Sequence, residues 1–298
     1  MSIEMAIVSA YVRRTRKPIY ADAERYTRHL HEPKGDAGPP RRLARRHAVT
    51  ERRVGGFRSV TVTPHARRSK QPARSVLYLH GGAYVTEIVS QHWALVSKLA
   101  DAGATVHVPL YGLAPQHTFT EAYAMLDELY SDLADDAANL TIMGDSAGGG
   151  LALGFAQTLR DTGLPLPRAL TLIAPWLDVA CRNPEIDVIE RVDPWLSKTG
   201  AIIAGAAWTG EAQAEDAIRD DPRVSPVFGD MAGLPPIDAY YGTHDITFAD
   251  APILERKCRD AGTPIDMQIV DGACHVYPLV PIRVGRRARR RIITRAGE

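Results

Sequence analysis

The sequence predicts an α/β fold in which a mostly parallel, twisted sheet is covered by helices on both faces. Six short apolar runs rich in β-forming residues follow one another from Ser75 onward, and helical patterns separate them. The 298 residues are 45% hydrophobic and 24% charged, an ordinary globular composition that excludes collagenous, coiled-coil and wholly disordered chains. The length suggests about two domains, and a core of this size needs no disulfides.

Each apolar run is interpreted as a strand, and the periodic segments between the runs as helices. The predicted strands are residues 75–79, 104–109, 140–143, 169–174, 237–241 and 265–270, and the predicted helices are 91–101, 120–133, 147–160 and 249–261. A run around Val54 to Val62 is expected to add antiparallel strands at one edge. Residues 1 to about 45 and 181 to about 222 break the alternation, so both segments are expected to lie outside the sheet.

The charges are unevenly distributed, although the net charge is only +1. Residues 1–74 carry 18 Lys and Arg against 6 Asp and Glu, residues 75–280 carry 11 against 28, and residues 281–298 carry 7 against 1. Basic ends can bind nucleic acid, contact anionic lipid, or pack on the acidic centre. We favour packing and expect no nucleic-acid partner, because no aromatic residues interleave with the arginines. Peripheral lipid contact stays open.

The cysteines and the hydropathy pattern indicate the cellular compartment of the protein. Cys181, Cys258 and Cys274 are odd in number and far apart, so they predict neither a disulfide framework nor a metal site. The basic residues near the N-terminus follow the apolar part instead of preceding it, which argues against a signal peptide. No run approaches the roughly 18 apolar residues of a membrane span. A cytoplasmic protein without a membrane span is expected.

The segment Gly144-Asp-Ser146-Ala-Gly148 follows the predicted strand 140–143 and opens an Ala- and Leu-rich helix. A serine in G-x-S-x-G, on a sharp turn between strand and helix, is typical of a nucleophile elbow. Glycines flank the serine because a side chain there would collide with the adjacent strand or helix. By itself the pattern also fits a glycine-rich turn that binds phosphate, so Ser146 is a candidate nucleophile that the surrounding motifs must support.

His80-Gly81-Gly82 directly follows the predicted strand 75–79. Acyl transfer forms a tetrahedral oxyanion, which needs hydrogen-bond donors already in place. The N–H groups of Gly81 and Gly82 can approach a reacting carbon closely, and the N–H of Ala147 at the helix start adds a third donor. We therefore predict an oxyanion hole from Gly81, Gly82 and Ala147, with His80 shaping the loop.

A serine hydroxyl needs a base, and the chain has ten histidines. His275 is the predicted base because it follows the last predicted strand, where a loop can return over the strand ends near Ser146. The acid should come between serine and histidine in sequence, also after a strand, and Asp245 fits. Asp250 is the rival, although its place in the next helix favours a helix-start or ion-pairing role.

Over most of residues 75–295, the chain resembles the hormone-sensitive-lipase-like family of α/β-hydrolase esterases, because several short sequence motifs occur in the same order as in that family. The motifs are His80-Gly-Gly82, Tyr111-Gly-Leu-Ala-Pro-Gln-His117, Gly144-Asp-Ser-Ala-Gly-Gly149, Ala174-Pro-Trp-Leu-Asp178, Ser225-Pro-Val-Phe228 with Gly233-Leu-Pro-Pro236, and the surroundings of Asp245 and His275. The resemblance implies a catalytic triad of Ser146, His275 and Asp245, and an oxyanion hole formed by Gly81, Gly82 and Ala147. It also implies an α/β-hydrolase core over 46–298 and a small helical cap built from 1–45 and about 181–222.

The chain departs from the family pattern at three places. Ala83 stands where the family has a third glycine, Gly112 and Gln116 replace an Arg and a Glu, and the usual Pro-Leu after Asp245 is absent. None of these changes removes a predicted catalytic group.

The predicted function is a serine carboxylic-ester hydrolase that cleaves short- to medium-chain acyl esters through an acyl-enzyme, with a small-molecule ester as substrate. No metal and no organic cofactor are expected. An acyltransferase or amide hydrolase with the same triad is an alternative, and a non-catalytic small-molecule receptor on the same scaffold is another. A homodimer stays open.

Overall fold

A computed structural model describes residues 2–65, 74–210 and 216–297. The strands of the described part are β1 His47–Val54, β2 Phe57–Pro64, β3 Ser75–Leu79, β4 Thr105–Leu110, β5 Leu140–Asp145, β6 Ala169–Ile173, β7 Ile237–His244 and β8 Ile265–Cys274. They form an eight-stranded sheet in the order β1-β2-β4-β3-β5-β6-β7-β8. β1 and β2 are antiparallel to their neighbours, and all other neighbours are parallel. The predicted α/β class is confirmed.

Helices cover both faces of this sheet. They are α1 Ile3–Thr15, α2 Lys17–Tyr20, α3 Ala23–His31, α4 Arg41–Ala44, α5 Ser90–Asp101, α6 Phe119–Ser131, α7 Ala147–Asp161, α8 Glu185–Ile189, α9 Lys198–Thr209, α10 Asp216–Arg219, α11 Ala251–Asp260 and α12 Arg283–Gly297. Because successive strand side chains point to opposite faces, Leu77 and Tyr78 of β3 belong to different hydrophobic clusters. Helices α6, α7 and α11 pack with the first cluster, and α5 and α12 with the second.

The strands that matter for the site run further than their apolar runs predict. β5 continues to Asp145, β7 to His244 and β8 to Cys274. Each of these strands therefore ends one residue before Ser146, Asp245 or His275. Since β5, β7 and β8 are parallel members of one sheet, their carboxyl ends lie at the same edge.

The predicted edge run around Val54 to Val62 is a hairpin in which Val54 pairs with Phe57 across the turn Gly55-Gly56. The predicted helix 249–261 begins two residues later, at Ala251, because Ile246–Asp250 forms a 3₁₀ turn first. Among the described residues, no helix is long and apolar enough to cross a bilayer.

The two segments predicted to lie outside the sheet, residues 1 to about 45 and 181 to about 222, contact each other. Lys17 on α2 donates a hydrogen bond to the carbonyl oxygen of Leu196, and Arg13 on α1 donates to that of Val192 at 3.2 Å. The N-terminal segment also reaches the sheet core, since Leu43 is buried in the cluster with α5 and α12. Residues 211–215 of the predicted insertion lie outside the described residues.

Candidate active site

Ser146 occupies the turn between β5 and α7. Its backbone has φ 54° and ψ −122°, a strained conformation for a residue with a side chain, and its N–H donates to the carbonyl oxygen of Ile173 at 2.8 Å. A Cβ atom on Gly148 would lie 2.1 Å from the carbonyl oxygen of Leu79, so only glycine lets the helix approach β3 this closely. The turn thus has the geometry that the G-x-S-x-G pattern predicts.

The imidazole of His275 lies between a hydroxyl and a carboxylate. Its Nε2 atom is 2.8 Å from Oγ of Ser146, and its Nδ1 atom is 2.8 Å from Oδ2 of Asp245. Both His275 and Asp245 are buried, and the second carboxylate oxygen of Asp245 accepts the N–H of Thr247 at 3.0 Å. The rival Asp250 instead accepts the side-chain amide of Asn183 at 2.9 Å. The structure therefore brings together the three side chains predicted from the sequence.

Two opposing effects act on the basicity of His275. Burial lowers the pKa of the imidazole, whereas the negative charges of Asp245, Asp193 and Asp145 and the hydrogen bond to Asp245 raise it. The raising effects are larger in sum, so the pKa lies above the ordinary 6.5. The indole of Trp195 packs edge-on against the ring, with centroids 5.8 Å apart. His275 is therefore a stronger base than a free histidine.

Asp193 is a member of this charge cluster that the sequence did not single out. Only 1% of the residue is exposed. Burial, followed by the charge of Asp245, raises its pKa to about 6, although three backbone N–H donors act in the opposite direction. No local pattern identifies it, because it lies in an Asp-rich insertion with no strand or glycine turn beside it.

The structure corrects one predicted oxyanion donor. The N–H of Gly81 donates to Oδ1 of Asp145 at 3.1 Å, so it is not free to bind a developing oxyanion. Asp145 is buried beneath the loop and also accepts the hydroxyl of Tyr78 at 2.5 Å. A Cβ atom on Gly81 would lie 2.4 Å from this carboxylate, so the backbone of the loop packs directly against Asp145.

Three other N–H groups beside Ser146 remain available. Those of Gly82, Ala83 and Ala147 donate to no acceptor within the described parts of the chain. Ala83 also lines the same pocket as Ser146, in a left-handed conformation with φ 54°. Sequence reasoning missed Ala83 because it attributed the loop's function to its glycines, whereas a backbone donor needs no particular side chain.

Two buried histidines support this loop. The Nδ1 atom of His92 accepts the N–H of Val89 at 3.0 Å, which leaves Nε2–H to donate to Asp145 at 3.2 Å. His80 donates from Nδ1 to the carbonyl oxygen of Gly81 at 2.8 Å, and burial lowers its pKa to about 4. His80 is thus neutral and bound to its own loop, the structural role that its position predicts.

A pocket with about 480 Å³ of empty space, part of it open to solvent, adjoins Ser146. Its walls are mostly apolar, and they come from both the sheet edge and the two added segments: Tyr20, Ala83, Ser146, Trp176, Asp178, Cys181, Ile186, Leu196, Ser197, Ala201, Ile246, Thr247 and Asp250. Trp208 is fully buried and stacks on Tyr84, with the two ring centroids 4.1 Å apart. No group of three or more His, Cys, Asp or Glu side chains in the described ranges is placed to hold a metal ion.

Comparison with known proteins agrees with this geometry. A family model described as the alpha/beta hydrolase fold matches residues 76–279, which is most of the chain. The chain belongs to the alpha/beta hydrolase fold family. The matched span contains the elbow, the loop at His80, and both partners of Ser146.

Individual members of the family are similar over most of the chain. An acetyl-hydrolase of Streptomyces hygroscopicus is 35% identical over 233 residues, which cover 74% of this chain and 75% of that protein. An ethyl acetate hydrolase of Pseudomonas putida is 33% identical over 218 residues, 68% of this chain and 65% of its own length. The solved structure of an esterase from the bacterial hormone-sensitive lipase family is 26% identical, covers 100% of this chain and 98% of the other, and superimposes with a TM-score of 0.79. The resemblance predicted from the motifs is confirmed.

Proposed function

We propose that the chain is a serine carboxylic-ester hydrolase that works through an acyl-enzyme. The observation that carries the proposal is the hydrogen-bonded series Ser146–His275–Asp245, with 2.8 Å at both contacts of the imidazole. In this proposal Ser146 is the nucleophile, His275 the general base and Asp245 the acid that orients it. The similarity to proteins named acetyl-hydrolase, ethyl acetate hydrolase and esterase supports the same activity.

The proposed reaction has two halves. His275 Nε2 takes the proton of Ser146 Oγ while this oxygen attacks the ester carbonyl carbon, which forms a C–O bond and a tetrahedral oxyanion. The C–O bond to the alcohol then breaks, and the imidazolium gives its proton to the leaving alkoxide. Water repeats the sequence on the acyl-enzyme and releases the acid. Asp245 orients the imidazole and stabilises the imidazolium.

The oxyanion hole is proposed to use the N–H groups of Gly82, Ala83 and Ala147. Gly82 and Ala147 stay as predicted, and Ala83 takes the place of Gly81. These three N–H groups lie near Ser146 and donate to no acceptor among the described residues, which supports the assignment, since preorganised backbone donors stabilise an oxyanion without reorganisation. Ala147 adds the favourable field at the start of α7.

We also propose the predicted division of the chain into an α/β-hydrolase core over 46–298 and a cap from residues 1–45 and about 181–222. Tyr20 from the first segment and Ile186, Leu196 and Ala201 from the second line the pocket beside Ser146. A cap of this kind excludes water and limits the size of the bound group.

The proposed substrates are esters with short to medium acyl chains. The pocket is small and mostly apolar, and two of the similar proteins are named for acetyl esters. Hydrolysis of p-nitrophenyl esters from two to sixteen acyl carbons by the wild type and by Ser146→Ala tests both parts of the proposal. A maximum at sixteen carbons would contradict the chain-length assignment, and near-wild-type rates in Ser146→Ala would contradict the mechanism.

The alternatives predict different outcomes. A receptor would not react with a fluorophosphonate probe, whereas a hydrolase would be labelled at Ser146. An acyltransferase or amide hydrolase would be labelled too, and only a panel of amides and added alcohol acceptors separates it from an esterase.

A cytoplasmic location remains part of the proposal. Cys181, Cys258 and Cys274 are all buried free thiols, which suits a reducing compartment. Lipid contact and a homodimer are not proposed. Arg291 and Arg295 of the basic helix α12 pair with Asp266 on β8, which favours packing of the basic end on the acidic core.

A further inference from the structure

Asp193 connects the segment between α8 and α9 to the loop that begins at Asp245. One carboxylate oxygen accepts the N–H groups of Trp195 at 2.7 Å and Leu196 at 2.9 Å. The other accepts the N–H of Ile246, the residue next to Asp245, at 2.9 Å. One buried carboxylate therefore holds two separate parts of the chain together.

The charged groups around Asp193 lie on or next to five elements. Asp245 follows β7 and His275 follows β8, and the charge of Asp193 acts on both. On the other side, Lys17 of α2 and Glu190 after α8 lie 3.9 Å from each other. Beneath His275, Asp145 adds a further negative charge. Cys274 is neutral because burial raises the pKa of its thiol to about 12.

The charge of Asp193 acts on the ammonium group of Lys17, but no salt bridge among the described residues reaches this carboxylate. Its charge is instead stabilised by the three backbone N–H groups, which are strong partners for a buried carboxylate. A buried charge retained in this way acts on its neighbours through a medium that screens poorly. His275 is the neighbour whose protonation the proposed reaction uses.

We propose that Asp193 is a positioning residue that holds the Asp245 loop through the N–H of Ile246 and keeps a negative charge beside the His275–Asp245 pair. The inference rests on the proposed function. Through the N–H of Trp195, the same carboxylate also places the indole whose edge packs on His275. Asp193 thus acts through His275 and touches no substrate.

The reason that such a residue is useful lies in the burial of His275. Burial alone would make the imidazole a weaker base, and the charge of Asp193 adds to that of Asp245 in opposing this effect. A second negative charge adds proton affinity, and it stabilises the imidazolium that forms during attack on the ester. The cap segment, which carries Asp193, would then contribute to catalysis as well as covering the pocket.

The test is the pH dependence of kcat/KM for p-nitrophenyl butyrate in Asp193→Asn and Asp193→Ser. Both changes remove the charge, and both keep one side-chain oxygen that can accept the N–H groups of Trp195 and Leu196. Asp230→Asn is the matched control, because Asp230 also accepts a backbone N–H, from Ala232 at 2.9 Å, but is exposed and does not act on His275. Melting temperatures and labelling by a fluorophosphonate give the folded, reactive fraction of each variant.

We expect the acidic limb of the profile to move to lower pH by about 0.5 unit or more in both Asp193 variants, since a nearby charge shifts a pKa by this order. The profile of Asp230→Asn should coincide with that of the wild type. An unmoved limb in a folded, labelled Asp193 variant overturns the inference. A wild type without any ester hydrolysis overturns the proposed function instead, so the two failures are distinguishable.

Discussion

The Nε2 atom of His275 lies 2.8 Å from the hydroxyl oxygen of Ser146, although 129 positions separate the two residues along the chain. The opposite nitrogen of the same ring lies 2.8 Å from Asp245. Side chains that form one hydrogen-bonded unit act together, so removing one member removes most of what the unit does.

Replacing the proposed nucleophile, Ser146, tests this hydrogen-bonded unit directly. Ser146→Ala should lower kcat for a p-nitrophenyl ester by about 10³-fold to 10⁶-fold, because neither the base nor the acid can act without the hydroxyl. The change removes one atom from a half-buried side chain, so the melting temperature should stay close to that of the wild type. A folded variant with more than about a tenth of the wild-type rate would contradict the role of Ser146.

The orienting role of the acid is tested by Asp245→Asn. If the amide oxygen keeps accepting the N–H of Thr247, the NH₂ group faces Nδ1 of His275. The ring then adopts the wrong tautomer, and kcat should fall by about 10⁴-fold. Asp250→Asn is the comparison, because Asp250 is the rival acid and contacts Asn183 instead of the imidazole. Equal losses in the two variants would argue against Asp245 as the acid.

The raised pKa of His275 predicts a specific pH profile. The base acts only in its neutral form, and the charges of the nearby carboxylates favour its protonated form. As the pH falls through the raised pKa, kcat/KM should therefore decline, with the midpoint above the ordinary value of 6.5. Steady-state rates measured in a series of overlapping buffers locate this midpoint. A midpoint at or below the ordinary histidine value would show that burial outweighs the carboxylates.

The close approach of Gly81 to Asp145 predicts a loss of stability and activity in Gly81→Ala. The new Cβ would lie 2.4 Å from a carboxylate oxygen of Asp145 and 2.9 Å from Cβ of Ser146, so the loop must move away from the elbow. Overpacking of this kind costs about 1–3 kcal/mol of the free energy of unfolding. Denaturant titration measures this loss, and ester hydrolysis should fall at the same time.

The control for this variant is Gly35→Ala. Nothing lies within 4 Å of a Cβ atom at Gly35, so its stability should stay within about 0.5 kcal/mol of the wild type. If Gly81→Ala were equally harmless, the loop could not be held as tightly as the hydrogen bond to Asp145 implies.

Local sequence patterns were sufficient to predict the sheet and the three side chains of the proposed triad. Apolar runs identify β5, β7 and β8, and glycines mark the turn at Ser146, because strand propensity and tight turns depend on neighbouring residues. The order of Ser146, Asp245 and His275, each placed after a strand, then predicts their meeting at one sheet edge. The strand ends were placed too early, since Gly144 and Gly242 interrupt the apolar runs but not the ladder.

Only the tertiary structure decided which backbone groups surround the reacting atoms. Whether Gly81 or Ala83 offers a free N–H depends on where the side chain of Asp145 lies, and Asp145 is 64 positions away from Gly81. Likewise, Asp193 contacts Ile246 across 53 positions, and no pattern around either residue encodes this contact. The sequence by itself determined the fold class and the three residues of the proposed triad, because both follow from residue type and local order. The donors and charges around the triad follow from distances between remote segments, which exist only once the chain has folded.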